Sequence, residues 1–179
     1  MSNPLQGRPE GAAGHAAPAK PEDLTPEALT PENLTPEALA DALNMLLAEL
    51  FLVYFKTRNF HWHLSGPSLW DYNLLLERQS TDIIACMDAV AERLQSLGLP
   101  ALHPLEAVAQ RRARRGKAME GHPPAALLRE LLADKHKLIK RLQTALALAT
   151  QLQDKPTSAL LRRWMRTTEQ HIWTLMKTL

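Results

Sequence analysis

Two short segments hold side chains whose type and spacing suit metal chemistry. The first is His61-Trp62-His63; the second is the pair Asp88 and Glu92. On a helix, residues four apart stand one turn from each other on the same face. Two carboxylates so placed can chelate or bridge a divalent ion such as Fe(II), and an imidazole is a suitable nitrogen donor to the same ion. Bundles that bind two metals internally use Glu-x-x-His on two of their helices. This sequence contains no Glu-x-x-His, so a metal centre would have to be built from the separate segments. His63 lies two residues from His61, about 200° around a helix, and cannot stand in for a second ligand beside it. Taken singly, Asp88 and Glu92 read as a solvated helix face beside Arg93, and His61 as a structural group near a helix end.

The elements that must position these groups are helical. Glycine is scarce, with 7 residues in 179, and aromatics make up 5% while Leu and Ala are abundant, a composition that favours helices. Apolar residues recur at spacings of three and four over four stretches. The first helix is expected from about Pro36 to Leu64, with Leu39, Leu43, Leu46, Leu47, Leu50, Tyr54, Arg58 and His61 on one face. Gly66-Pro67 stops it and Ser68 can cap the second, which runs to Leu97. The third spans about Pro124–Leu152, with Leu127, Leu131, Leu138 and Leu142 on one side. After the turn Asp154-Lys155-Pro156-Thr157, the fourth carries Leu161, Trp164, Met165, Ile172, Leu175 and Met176. Residues 101–121 form a connector long enough for a short helix around Pro104–Arg115. Short, long and short connections predict an all-α, four-helix bundle with one crossover. Nothing alternates with period two, which argues against a sheet.

Residues 1–35 read as a disordered or spacer tail and 36–179 as one domain. Within the tail, Thr-Pro-Glu recurs every five residues from Thr25. Each copy resembles a helix start, and the following Pro ends the helix begun, so only the copy at Thr35 can propagate. Residues 1–40 carry two bases against six acids, a balance of −4, whereas the whole chain is +2. Positive charge concentrates in Arg111, Arg112, Arg114, Arg115 and Lys117, a run that reads first as a solvated face and second as a nucleic-acid footprint. With one cysteine, Cys86, no intrachain disulfide can form. That fits a reducing compartment. No signal peptide is visible and no stretch approaches the roughly 18 uninterrupted apolar residues of a membrane span, so a cytoplasmic protein is expected.

The stretch Lys56-Thr57-Arg58-Asn59-Phe60-His61-Trp62-His63-Leu64-Ser65-Gly66-Pro67, followed by Asp88-Ala89-Val90-Ala91-Glu92-Arg93-Leu94, resembles the signature of the Dps family of mini-ferritins. Asp154-Lys155-Pro156-Thr157 and Trp173 are similar to the family as well, and the resemblance extends from about residue 40 to the end. It implies a ferritin-like bundle, a homo-oligomeric shell of twelve subunits, and ferroxidase sites shared across a two-fold interface. Fe(II) is oxidised there, preferably by hydrogen peroxide, and stored as ferric mineral.

By that resemblance His61 takes the place of the first histidine ligand, and Asp88 and Glu92 those of the two carboxylates contributed by the other subunit. The second histidine position, twelve residues on, holds Asn73, a weak iron ligand. Glu77, one turn further, matches an acid that helps at the site and can partly compensate. Trp62 and Trp70 read as packing residues. Of the acids that usually line the three-fold pores, one position matches Glu169 and another falls at Ala159. The acidic tail lacks the family's basic arm, so DNA binding is expected to be weak or absent. The alternative is a shell with a degenerate ferroxidase site, acting as a structural or DNA-coating particle.

Overall fold

The computed structural model describes residues 34–63, 70–98 and 123–179. They form four helices: α1 (Pro36–His63), α2 (Trp70–Ser96), α3 (Pro124–Gln151) and α4 (Lys155–Thr178). No strand occurs among the described residues. The short helix expected around Pro104–Arg115, the cap at Ser68 and the first two Thr-Pro-Glu copies lie outside them.

The ends of the helices follow from local chemistry. At the start of α1, Thr35 Oγ1 accepts a hydrogen bond from the Ala38 N–H at 3.1 Å, with Glu37 in the first turn. Cap and helix dipole therefore agree on the start. Between α3 and α4 the chain reverses through a single left-handed residue, Gln153, at φ 57°. The Asp154 N–H bonds to the Ala149 carbonyl at 2.8 Å and the Gln153 N–H to that of Thr150 at 3.1 Å, the paired bonds of a Schellman ending. Asp154 then caps α4, its Oδ1 accepting from the Thr157 N–H at 3.1 Å.

The core is a column of aliphatic side chains. Leu43, Leu46 and Leu50 of α1 meet Leu76, Ile83 and Leu94 of α2, Leu131, Leu138 and Leu142 of α3, and Leu161 and Leu175 of α4. Each such burial contributes roughly 1.5–3 kcal/mol. By length and hydropathy alone α1 could cross a membrane, but most of that stretch is buried inside the bundle. On α4, Met165 and Ile172 are half-buried, and Met176 is exposed rather than on the apolar face.

Helix α1 packs on α2 and α3; α4 packs on α3 and, more lightly, on α2. Four polar ties fix the lighter seam. Tyr72 reaches the Thr178 carbonyl, Gln79 reaches His171 and Thr174, Asp82 reaches His171, and Arg93 reaches Asp154 and Thr157. As the α2 number rises its α4 partner's number falls, so the two helices are antiparallel. The tight turn makes α3 antiparallel to α4 too. Helices α2 and α3 therefore run parallel, and the end of one lies across the bundle from the start of the other, about 40 Å away at 1.5 Å per residue. This is the one-crossover bundle. Between α1 and α3, Lys56 Nζ bonds to Glu130 Oε1 at 2.6 Å and to Asp134, which also takes Lys137 at 3.0 Å. Burial would raise the Asp134 carboxyl, but Lys56 and Lys137 outweigh it and hold it below the usual range.

Candidate metal centre

Helix α2 has two working faces. Tyr72, Gln79, Asp82, Cys86 and Arg93 share the side that meets α4 and the core. Trp70, Leu74, Glu77, Thr81, Ile84, Asp88 and Glu92 fall on one outward stripe, spanning about 80° of the circumference at 100° per residue. All seven are exposed. Asp88 and Glu92 stand there one turn apart, and no ion pair among the described residues holds either of them.

His61 lies in the last turn of α1, half-buried. Its Nδ1 is buried and takes no hydrogen bond within the described chain, as are Asn59 Oδ1 and Asn73 Oδ1. A buried polar atom without a partner is costly. His63 is exposed, with Nδ1 2.8 Å from the Asn59 carbonyl. Trp62 is 60% exposed and Trp70 71%, so neither belongs to the core of the bundle. Arg58 covers the Trp62 ring at 5.7 Å.

The two sets do not meet within one chain. His61 ends α1 at the end of the bundle where α2 begins, and Asn73 and Glu77 are in the first turns of α2. Glu92 is in its last turns, about 28 Å further along the axis from Asn73. Among the described residues no three metal-binding side chains come together. Glu169 and Ala159 are exposed on α4. The basic run Arg111–Lys117 lies outside the described residues.

The interior carries a different polar cluster, which periodicity did not reveal. Lys135 of α3 is fully buried, its Nζ 3.3 Å from His171 Nδ1, while His171 Nε2 is 2.9 Å from Asp82 Oδ2. Burial pulls the Lys135 amine down to about 7, with Asp82 opposing. Burial, then the Lys135 charge, takes His171 to about 4 against the pull of Asp82, and Arg78 adds to the lowering. A buried amine stands here in place of the carboxylate cluster that an intrabundle metal centre requires. The one available signal was the gap between Leu131 and Leu138 in the leucine series, which Lys135 fills. Cys86 lines a small pocket beside His171, and burial pushes its thiol up, away from the reactive thiolate.

Four antiparallel-packed helices with one crossover define a ferritin-like bundle, and the Ferritin-like domain family matches residues 40–179. The chain belongs to that family. Among its relatives are Dps proteins. A DNA protection during starvation protein from Brevibacillus brevis is 27% identical over 137 residues, 76% of this chain and 91% of the relative. The crystal structure of antigen TpF1 from Treponema pallidum aligns with a TM-score of 0.69 at 27% identity, covering 92% of this chain and 99% of that one. A Dps protein from Vibrio cholerae O1 aligns with a TM-score of 0.69 at 26% identity, over 79% of this chain and 88% of its own. That protein is described as a member of a broad superfamily of ferritin-like diiron-carboxylate proteins.

Proposed function

We propose that this chain is the subunit of a Dps-type mini-ferritin. Twelve copies form a closed shell in the cytoplasm that oxidises Fe(II) at sites shared between neighbouring subunits and retains ferric iron inside. The observation that carries this reading is the separation of two half-sites at opposite ends of one outward stripe of α2. In a two-fold pair each subunit offers the same patch, so residue i meets j and j meets i. Two antiparallel α2 stripes then bring the Asn73–Glu77 end of one against the Asp88–Glu92 end of the other. Exposed Trp70, Leu74 and Ile84 on the same stripe supply apolar area for the contact.

Each pair would hold two equivalent sites. His61 and Glu77 of one subunit face Asp88 and Glu92 of the partner subunit, and iron is their substrate. Three carboxylates and one imidazole suit Fe(II) and favour the harder Fe(III) still more. Hydrogen peroxide accepts one electron from each of two Fe(II) ions as its O–O bond breaks, and protons convert the oxygens to water.

A second reading is a shell whose oxidation site has degenerated, serving as a structural or DNA-coating particle. Asn73, where the resemblance places a ligating histidine, favours it. An acidic tail repels phosphate, so any DNA contact would fall to Arg111, Arg112, Arg114, Arg115 and Lys117 and weaken steeply with salt.

Light scattering on the purified full chain, with stopped-flow Fe(II) oxidation by peroxide, separates these readings. The proposal expects a large particle whose oxidation rate falls in Glu92→Ala and in His61→Ala. A stable monomer at micromolar concentration would refute it. A large particle indifferent to both substitutions would favour the second reading.

A further inference from the structure

Arg93 follows Glu92 in sequence but projects about 100° further around the helix, toward α4. Its Nε donates to Thr157 Oγ1 at 2.6 Å, its Nη2 to both oxygens of Asp154 at 2.9 and 3.0 Å, and its Nη1 to Ser96 Oγ at 3.0 Å. Asp154 is at the same time the cap of α4 and the residue whose N–H closes α3. One guanidinium therefore joins α2 to the junction of two other helices.

We infer that Arg93 is a positioning residue for the Asp88–Glu92 half-site: its grip on Asp154 and Thr157 sets the rotation and axial height of the last turns of α2. This rests on the proposed function. Three observations support it. The other polar ties along the α2–α4 seam all lie at or before Asp82, so past that point Arg93 is the one polar tie to α4 among the described residues. Glu92 sits four residues from the end of α2, beyond which Gly98 turns left-handed at φ 73°. Helix ends open more readily than helix centres, so a carboxylate there needs an anchor. Finally, Arg93 is about 100° around the helix from Glu92, so it acts through rigid backbone and not by contact with the ion.

Groups that hydrogen-bond a metal ligand directly change affinity about 10–100-fold when removed; Arg93 acts through backbone, so the low end, about tenfold, is expected. The test uses the assembled full-length protein. It reads the Fe(II) concentration giving half-maximal oxidation rate, and the visible spectrum of bound Co(II), which reports ligand geometry without turnover. Arg93→Ala and Asp154→Asn should each raise the half-saturating Fe(II) concentration about tenfold. Each should also alter the Co(II) spectrum, and the double variant should be no worse than either single one, because both break one link. Thr35→Ala, which removes the cap of α1 instead, should lower the melting temperature and leave both readouts unchanged. Should Arg93→Ala not assemble, Arg93→Gln, which keeps a polar side chain there but loses the charged two-point grip on Asp154, carries the same expectation. Variants that assemble and melt earlier, yet keep wild-type half-saturation and spectrum, would show the link to be structural only and overturn the inference. If the wild type itself neither binds Co(II) nor oxidises Fe(II), the proposed function fails and takes the Arg93 assignment with it.

Discussion

The ammonium nitrogen of Lys135 lies 3.3 Å from Nδ1 of His171, at the inner end of a chain that leads through His171 Nε2 to Asp82. With Lys135 charged, it donates to Nδ1, and Nε2–H donates to the Asp82 carboxylate. Every group then has a partner and the trio is neutral. Protonating His171 as well would place two cations side by side in the core, against one carboxylate and with Arg78 nearby.

Stability should therefore fall in acid. The folded pKa of His171, about 4, lies below its ordinary 6.5, so between these values the unfolded chain binds more protons. Stability rises with pH across that window and is lost as pH falls from 6.5 toward 4. Lys135, at about 7 against an ordinary 10.5, adds a further rise on the alkaline side. Melting temperature measured from pH 4 to 8 should climb, and His171→Gln should flatten the acid limb. An equally steep limb in that variant would assign the effect to other groups.

Removing the Asp154 carboxylate should cost more than removing an ordinary cap. Burial would raise this carboxyl, but bonds from Thr157 and Arg93 hold it below the usual range. Asp154→Ala deletes the cap of α4 and leaves Arg93 with no carboxylate, only the hydroxyls of Thr157 and Ser96. A loss of about 2–3 kcal/mol is expected, against about 1 kcal/mol for Thr35→Ala. Urea denaturation of the two variants makes the comparison; equal losses would mean that Arg93 finds water or another partner at no cost.

Gln153 occupies a left-handed position where a side chain carries a steric penalty. Gln153→Gly removes that penalty, partly offset by the greater freedom of glycine in the unfolded chain. A net gain of about 0.5–1 kcal/mol is expected. An unchanged or lowered melting temperature would show that the glutamine side chain is held by contacts worth the strain.

The helices were legible because their apolar residues recur every three or four positions, and the start of α1 because Thr35 is followed by Pro and Glu. The tie between Arg93 and Asp154 was not. Both residues stand in segments that resemble the family, yet they are 61 positions apart, and no local pattern says that a guanidinium reaches a distant cap. Gln79 and Asp82 read as ordinary polar positions, because a seam of hydrogen bonds leaves no mark in hydrophobic spacing. Lys135 was hidden for the opposite reason: it sits in register with the leucines. Trp62 and Trp70 read as packing residues but are largely exposed, Trp62 meeting the Arg58 guanidinium, and periodicity does not tell a core position from an exposed one.

The central claim is that His61 and Glu77 of one subunit, with Asn73 beside them, face Asp88 and Glu92 of the partner subunit across a working iron site. An amide is a poor iron donor, so the iron nearest Asn73 should be the more weakly held. Stopped-flow absorbance of ferric product on mixing the apoprotein with Fe(II) and peroxide, run on wild type, Asn73→His and His61→Ala, tests this most directly. The account predicts a faster rate in Asn73→His and a slower one in His61→Ala, with the particle size unchanged in both. Identical rates in all three proteins would contradict it.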